Sequence, residues 1–417
     1  MPTKQLKTNN IYCGDNLVMF KQLPDNCIDL IYIDPPFNSN RNYEIFWGDK
    51  QERRAFDDRF GDAEHYIRYM RPRIVELHRV LKPTGSFYYH CDWHASHYIK
   101  IMLDQIFDFN NFLNEIIWRY RTGGNSKQYF ARKHDSIFSY TKHFGKHTFN
   151  VLKERSYLQK KYNYNEKYPE VWDDERNMWF HEVIMRDVWT DIEAIGTENR
   201  NNRRLGYPTQ KPLELLNRII QASSNEGDVV LDAFCGCGTT LISAQKLGRK
   251  WLGIDIAPTA CRVVSQRLGD EYNLDDGVDF EVIPLYKSEH DLLKLPPFEF
   301  QDWACIALGA IPNKRKVNDY GIDGKLYPAD IQTKKENHLY ADVYIYYPVQ
   351  VKQKNKAGRP DIDSFAHAMR RDFKTRGYFI AFGFSQDAMV EIKRVQKEDG
   401  LEIIAITVAE LLRTEGG

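Results

Sequence analysis

Two segments far apart in the chain each run a short apolar stretch into a tight, rigid turn. They are Ile31-Tyr-Ile-Asp-Pro-Pro-Phe37 and Asp228-Val-Val-Leu-Asp-Ala-Phe-Cys-Gly-Cys-Gly-Thr-Thr240. Apolar runs this short, closed by Pro or Gly, belong to strands buried on both faces, as in parallel sheets. Their surroundings agree. Residues 11–13 and 28–33 read as strands around a helix over 16–23, which Pro24-Asp25-Asn26 stops, giving a βαβ start. The pattern then predicts a strand at 86–89, a helix at 96–107, a helix at 212–222 with Pro212 in its first turn, a strand at 228–232, a helix at 239–246, a strand at 251–255 and a helix at 258–268.

At 417 residues the chain exceeds one ordinary domain, and 42% apolar residues suffice for real cores. The first α/β domain is expected over 1–290. Leu293-Lys-Leu-Pro-Pro297 reads as a linker, and 298–417 as a second α/β unit with strands over 341–347, 349–352 and 378–384 and a helix over 362–371. There is no internal repeat. Net charge is zero, yet from Trp118 to Lys161 eleven Lys/Arg face only Asp135 and Glu154, a local excess suited to phosphate. An aromatic, irregular stretch over about 119–187 reads as an insert of the kind that carries recognition. Its aromatics are Tyr120, Tyr129, Phe130, Phe138, Tyr140, Phe144, Phe149, Tyr157, Tyr162 and Tyr164; most are expected in a local core and a minority on displaced bases. Seven cysteines form no metal-type pairs or even framework, and neither a signal-type leader nor a bilayer-length apolar run is seen. The expectation is a cytoplasmic protein with no membrane contact.

The downstream turn lacks Gly-x-Gly-x-x-Gly, so it is not a pyrophosphate grip of the dinucleotide kind. Gly236 and Gly238 remove side chains where a small ligand can lie against backbone, in a loop built from Asp232, Phe234, Cys235 and Thr239. Asp255 ends the next strand, where a carboxylate can accept two ribose hydroxyls. Asp15, with Asn16 beside it, ends the first strand and can accept an adenine amino group. Three carboxylates at strand ends fit S-adenosyl-L-methionine, since ligands gather at the carboxyl edge of such sheets.

The upstream turn offers the other half of a methyl transfer. An exocyclic base amine is a poor nucleophile because its lone pair is delocalised into the ring. Asp34 can accept one amine hydrogen and the Pro35 carbonyl the other. Pro35 and Pro36 fix the backbone so that this carbonyl is aimed, and Phe37 can stack on a base that has left the duplex. Asp34 need not be a strong base, because the methylated amine loses its proton readily.

With Gly14-Asp-Asn16, Asp34-Pro-Pro-Phe37, His90-Cys-Asp92, Asn114-Glu-Ile-Ile-Trp118, Asp187-Val-Trp189 and Tyr207-Pro-Thr-Gln-Lys-Pro212 in this order, residues 10–270 resemble the β-class of site-specific DNA methyltransferases. The resemblance implies a Rossmann-like S-adenosylmethionine-dependent methyltransferase fold with an inserted target-recognition region, on a seven-stranded sheet with one antiparallel strand. It implies that Thr209, Gln210, Lys211 and Pro212 wall the cofactor pocket, and that the substrate is double-stranded DNA. Ala233 departs from the proline expected after Asp232. In this class Asp-Pro-Pro-Phe goes with adenine N6 and Ser-Pro-Pro with cytosine N4, which favours adenine by association.

In the second unit, Asp323 lies in Asp319-Tyr-Gly-Ile-Asp-Gly324, and Gln350-Val-Lys352 follows on a strand. Alternation sends Gln350 and Lys352 to one face. Asp323, Gln350 and the Val351 carbonyl can hold Mg²⁺, with Lys352 steadying a phosphate or a water. Residues 298–395 resemble the Mrr-type restriction endonucleases of the PD-(D/E)xK fold, a restriction-endonuclease-like α/β domain in which glutamine is a known variant of the acidic ligand. Glu299 is the candidate for the upstream helix acid. The leading expectation is methylation and Mg²⁺-dependent cleavage in one chain. A solitary methyltransferase with a DNA-binding clamp stands beside it, as does a DNA-binding regulator without chemistry. A nicotinamide-type oxidoreductase is disfavoured, and pairing of two copies into a homodimer is left open.

Overall fold

The computed structural model describes residues 6–35, 42–47, 52–57, 63–121, 127–163, 169–195, 210–284, 288–308, 310–313, 321–326 and 346–415. In chain order the strands are β1 Asn10–Cys13, β2 Ile28–Ile33, β3 Asn42–Trp47, β4 Glu52–Asp57, β5 Leu81–Cys91, β6 Phe112–Arg119, β7 His134–Thr141, β8 Lys153–Leu158, β9 Val171–Asp173, β10 Met178–Ile184, β11 Val188–Trp189, β12 Val229–Asp232, β13 Lys250–Asp255, β14 Glu281–Pro284, β15 Ile311–Pro312, β16 Gly324–Leu326, β17 Tyr347–Lys352, β18 Arg376–Ala381 and β19 Glu402–Thr407. The helices are α1 Asn16–Phe20, α2 Ala63–Val80, α3 Ser96–Phe107, α4 Leu213–Ser223, α5 Thr239–Lys246, α6 Pro258–Tyr272, α7 Glu289–Leu293, α8 Pro297–Leu308, α9 Arg359–Arg371, α10 Gln386–Asp399 and α11 Val408–Glu415.

Nine strands form the central sheet in the order β11-β6-β7-β5-β2-β12-β13-β1-β14. Among its described strands only β7 runs against its neighbours. The implied seven strands are the inner ones; β11 and β14 are short additions at the two edges. Apolar side chains alternate between the faces along each inner strand. Ile31 and Ile33 join Met70, Leu77, Leu103 and Phe107 of α2 and α3. Leu30 and Tyr32 join Leu216, Ile220, Ile242 and Val264 of α4, α5 and α6. The sheet is thus covered on both faces, as a parallel sheet requires.

The stretch expected as one insert divides. Its residues 134–141 become β7 in the middle of the central sheet, and 153–184 form a separate antiparallel sheet in the order β8-β10-β9. The expectation that most of its aromatics are core does not hold. Phe138 and Tyr140 are buried, but Tyr129, Phe130, Phe144, Phe149 and Tyr162 are exposed; Tyr164 lies outside the described residues.

A five-stranded sheet, β15-β16-β17-β18-β19, builds the C-terminal unit. β17, β18 and β19 are parallel, while β16 is antiparallel to β17. Phe300, Ala304 and Leu411 of α8 and α11 cover one face; Ile362, Phe365, Met369 and Val395 of α9 and α10 cover the other. The segment read as a linker is held on this unit. Leu292 lies in its core, and Gln353 Nε2 donates to the carbonyls of Leu292, Leu293 and Leu295 at 3.2, 3.1 and 2.8 Å. The strand expected at 341–347 falls mostly outside the described residues.

Candidate active sites

β2 and β12 are parallel neighbours, with Leu30 and Ile31 opposite Val230 and Leu231. Asp34, just past β2, and the loop after Asp232 therefore leave the same edge of the sheet side by side. β13 and β1 follow at that edge, so Asp255 and Asp15 complete a row of strand-end carboxylates. Asp34, only 15% exposed at its side chain, forms an ion pair with Lys211. Lys211 and Gln210 lead into Pro212, whose backbone caps α4 from outside the first turn. Pro36, Phe37 and Thr209 lie outside the described residues.

The loop after β12 is held by its own carboxylates. Asp232 accepts from Thr240 Oγ1 at 2.5 Å and from the Phe234 N–H at 3.0 Å. Asp255 accepts from the Gly236 N–H at 2.8 Å and the Ala257 N–H at 2.9 Å. Burial pushes Asp232 up to about 7, with the charges of Asp34 and Asp255 adding to it against the two hydrogen bonds. Burial likewise lifts Asp255 to about 6, against the N–H groups of Ala257 and Gly236. Gly236 and Gly238 both have positive φ, 49° and 77°. A Cβ on Gly238 would meet Val264 Cγ2 and Cγ1 at 2.7 and 2.8 Å, so this glycine is needed for packing of the loop on α6. Cys235 and Thr239 are buried beneath the loop, and Phe234 packs partly against the core.

Asp15 and Asn16 are both engaged by Arg73. Asp15 Oδ1 caps α1 through the Leu17 N–H at 2.7 Å, and Oδ2 pairs with Arg73 Nη2 at 2.7 Å. Asn16 is buried, accepts from Arg73 Nε at 2.8 Å and donates to the Ala233 carbonyl at 2.9 Å. Arg73 stacks on Tyr69 at 3.7 Å. Asn16 thus ties the first strand's turn to the loop after β12.

A second polar chain runs beneath the edge. Tyr32 OH meets His90 Nδ1 at 2.8 Å, His90 Nε2 meets Asp135 at 3.2 Å, and Tyr120 OH donates to Asp135 at 3.1 Å. Burial raises Asp135, but the bonds from His90 and Tyr120 hold it below the usual carboxylate range. The Asp135 partnership was missed in sequence because β5 and β7 bring it together across a loop.

In the C-terminal unit, Asp323 is buried against β17. Its N–H donates to the Val349 carbonyl at 2.8 Å, and its Oδ2 accepts from the Val351 N–H at 2.7 Å. Val349 and Val351 turn their backbone groups to one side of the strand, so the Val351 carbonyl faces Asp323 as well. Gln350 is 3% exposed, and its Oε1 has no hydrogen-bond partner among the described residues. A buried, unpartnered amide oxygen is costly unless something else coordinates it. Together with the Asp323 carboxylate and the Val351 carbonyl it supplies the all-oxygen donors that Mg²⁺ takes, so the residues fit the ion. Lys352, half-buried, lies on the same face as Gln350 and acts electrostatically on Asp361 of α9. Glu299 is exposed; the α8 side chain that reaches Asp323 is Gln301, which donates to its carbonyl at 3.4 Å. Among the described residues no group of three or more His, Cys, Asp or Glu is gathered as a metal cage.

Residues 28–266 match the family model described as DNA methylase, N6 and N4 type, which spans more than half of the chain. The chain belongs to the DNA methylase family. Residues 292–414 match the restriction endonuclease family model. Among curated relatives, the type II methyltransferase M.HpaI of Haemophilus parainfluenzae is 33% identical over 64% of this chain and 77% of its own length. The DNA adenine methyltransferase YhdJ of Escherichia coli K12 is 29% identical over 63% of this chain and 83% of its own. A solved Thermus thermophilus protein assigned as a DNA modification methylase, complexed with S-adenosyl-L-methionine, is 21% identical, covers 67% of this chain and all of its own, and superposes with a TM-score of 0.42. This DNA methylase therefore carries a restriction-endonuclease-like unit behind its methyltransferase fold. No described helix is long and apolar enough to cross a membrane, and all seven cysteines are free.

Proposed function

We propose that residues 1–290 transfer a methyl group from S-adenosyl-L-methionine to adenine N6 in double-stranded DNA, and that residues 298–417 cleave DNA with Mg²⁺, in a reducing cytoplasm. The observation that carries the first part is the side-by-side exit of Asp34 and the glycine loop from β2 and β12. The bound cofactor supplies an electrophilic methyl on a sulfonium. The chain's residues do the rest. Asp34 and the Pro35 carbonyl accept the two amine hydrogens, which restores lone-pair density on nitrogen and orients it. Pro36 fixes that carbonyl, and Phe37 stacks on the extruded base. Asp255 takes the ribose hydroxyls; Asp232, Phe234, Cys235, Gly236, Gly238 and Thr239 shape the loop; Gln210, Lys211 and Pro212, with Thr209, form the facing wall. Asp15 and Asn16 hold the end of the pocket nearest β1. Adenine is supported by the Asp-Pro-Pro-Phe motif and by the similarity to an adenine methyltransferase.

For the second unit, the buried Gln350 Oε1, unpartnered among the described residues, and the Asp323 carboxylate bonded to the Val351 N–H support an ion held by Asp323, Gln350 and the Val351 carbonyl. Such an ion polarises a phosphate oxygen when bound. Lys352 would neutralise charge on the phosphate.

Plasmid DNA incubated with S-adenosyl-L-methionine, with and without Mg²⁺, tests both parts. Mass spectrometry of the nucleosides should show N6-methyladenine from the parent chain and none from Asp34→Ala. N4-methylcytosine instead would overturn the choice of base. A gel should show Mg²⁺-dependent strand breaks that vanish in Lys352→Ala. Intact plasmid at every Mg²⁺ concentration would leave the C-terminal unit as a DNA-binding clamp.

A further inference from the structure

Immediately after β5 the chain reads Asp92-Trp93-His94, and it does something a folding requirement does not explain. Asp92 accepts the His94 N–H at 2.9 Å and meets His94 Nδ1 at 2.7 Å, so the imidazole is fixed at two points. The Trp93 ring lies against that imidazole, centroids 3.7 Å apart and 31° between planes. Arg132 places its guanidinium 3.5 Å from the Trp93 centroid and 4.6 Å from the Tyr129 centroid. The side chain of Arg132 is exposed, so its charge is open to solvent. Four planar groups from two chain segments thus form one cluster, with Trp93 46% and Tyr129 55% exposed and Phe130 beside them 98% exposed.

The position of the cluster matters as much as its chemistry. β5 lies next to β2, with Tyr89 opposite Ile33, so Trp93 emerges from the same edge as Asp34. β7 begins at that edge with Ser136 opposite Cys91, so Tyr129 and Arg132 enter it from the other strand. Exposed tryptophan and exposed arginine gathered at one rim suit a ligand with flat faces and negative charge, which is a description of stacked nucleotides.

We propose that this His94–Trp93–Arg132–Tyr129 cluster enters the DNA base stack and fills the gap left when the target base is extruded toward Asp34. The inference rests on the methyl-transfer reading above and adds the residues that stabilise the opened duplex. Extrusion leaves neighbouring pairs without a stacking partner, and an inserted planar group replaces it.

The test uses the full chain. Sequencing of the modified bases in plasmid methylated by the parent identifies the site. Two short duplexes carrying it are then compared, one fully paired and one with an abasic position opposite the target base, where extrusion meets little resistance. Trp93→Ala and Arg132→Ala should each slow single-turnover methylation of the paired duplex by about ten- to a hundred-fold, the range set by the energy of unstacking one base. On the abasic duplex the loss should be under about three-fold, with affinity for S-adenosyl-L-methionine unchanged. Trp93→Phe, which keeps a flat ring, should retain most of the parent rate on both. Equal losses on the two duplexes would mean a merely structural role, and no loss on the paired duplex would remove the cluster from extrusion; either result overturns the proposal. A parent chain that methylates no plasmid would instead bring down the methyl-transfer reading, and this inference with it.

Discussion

Gly238 offers a test of what the loop after β12 is built for. Its φ of 77° lies in the left-handed region, and its missing Cβ leaves room for Val264 Cγ2 and Cγ1 at 2.7 and 2.8 Å. Gly238→Ala therefore meets two costs. The backbone conformation costs an L-residue about 1–2 kcal/mol. Forcing a methyl into the space of fully buried Val264 costs about 1–3 kcal/mol more. Loss of unfolded-state freedom returns about 0.4–1 kcal/mol. The net expectation is a destabilisation of about 2–4 kcal/mol, a large part of a domain's usual stability. Urea unfolding followed by tryptophan fluorescence, with buried Trp251 on adjacent β13 among the reporters, measures it. Most of the packing share is removed by repeating the change in a Val264→Ala background, where only the Cβ contact at 3.2 Å remains and Gly238→Ala should cost little beyond the backbone part, about 1 kcal/mol. A variant that unfolds like the parent yet loses affinity for S-adenosyl-L-methionine would assign the glycine to ligand approach and refute the packing account. So would an undiminished cost in the Val264→Ala background.

Three further outcomes follow from the same geometry. Asp232 titrates near 7 in the fold against 3.8 for a free carboxyl, so the folded chain holds a proton that the unfolded chain has released. Its contribution to stability is full below about pH 4 and is lost as pH rises through 7; Asp232→Asn cannot ionise, so thermal melts should show the parent's advantage over it shrinking between pH 5 and 8, by on the order of 3 kcal/mol. Curves that stay parallel would contradict the shift. Arg73→Ala strands the partners Asp15 and buried Asn16 and should lower stability by about 2–4 kcal/mol, with Arg73→Lys recovering only part because it cannot fork to both; calorimetry decides. Gln350→Glu gives the C-terminal site a second carboxylate in place of an amide oxygen that has no partner among the described residues, so Mg²⁺ titration of cleavage should reach half-maximum at lower metal concentration.

Much of the central sheet was legible because its inner strands are short apolar runs closed by Pro, Gly or Asp. The helix over Ser96–Phe107 was legible because its apolar residues keep one face. α2 was not, since Pro72 interrupts a stretch crowded with Arg, His and Glu and reads as a break, although Tyr66, Met70, Ile74 and Leu77 keep helical spacing through it. β7 was hidden for a different reason. It lies among basic and aromatic residues that resemble a surface loop, and only its pairing with β5 and β6 makes it interior. Strand-end carboxylates can be found from sequence because each ends its own apolar run. Arg73 and Asp135 cannot, because their value comes from partners contributed by distant elements.

That difference bears on how the edge of the sheet works. Asp34, Asp232 and Asp255 end neighbouring strands, and burial there disfavours an ionised carboxylate, the more so at Asp232, which also feels the charges of Asp34 and Asp255. The fold answers in two ways. Lys211 pairs with Asp34 directly, whereas burial raises Asp232 and Asp255 to about 7 and about 6. A site left in this state favours a cationic ligand, because a positive charge at the edge pulls the raised carboxyls back to their ionised form. Binding of S-adenosyl-L-methionine should therefore release protons near neutral pH and tighten as pH rises through about 6, where Asp255 becomes available to accept hydroxyl hydrogens. Isothermal titration in two buffers of different ionisation enthalpy would detect that release, and its absence would mean that the carboxylates at this edge serve the loop and not the ligand.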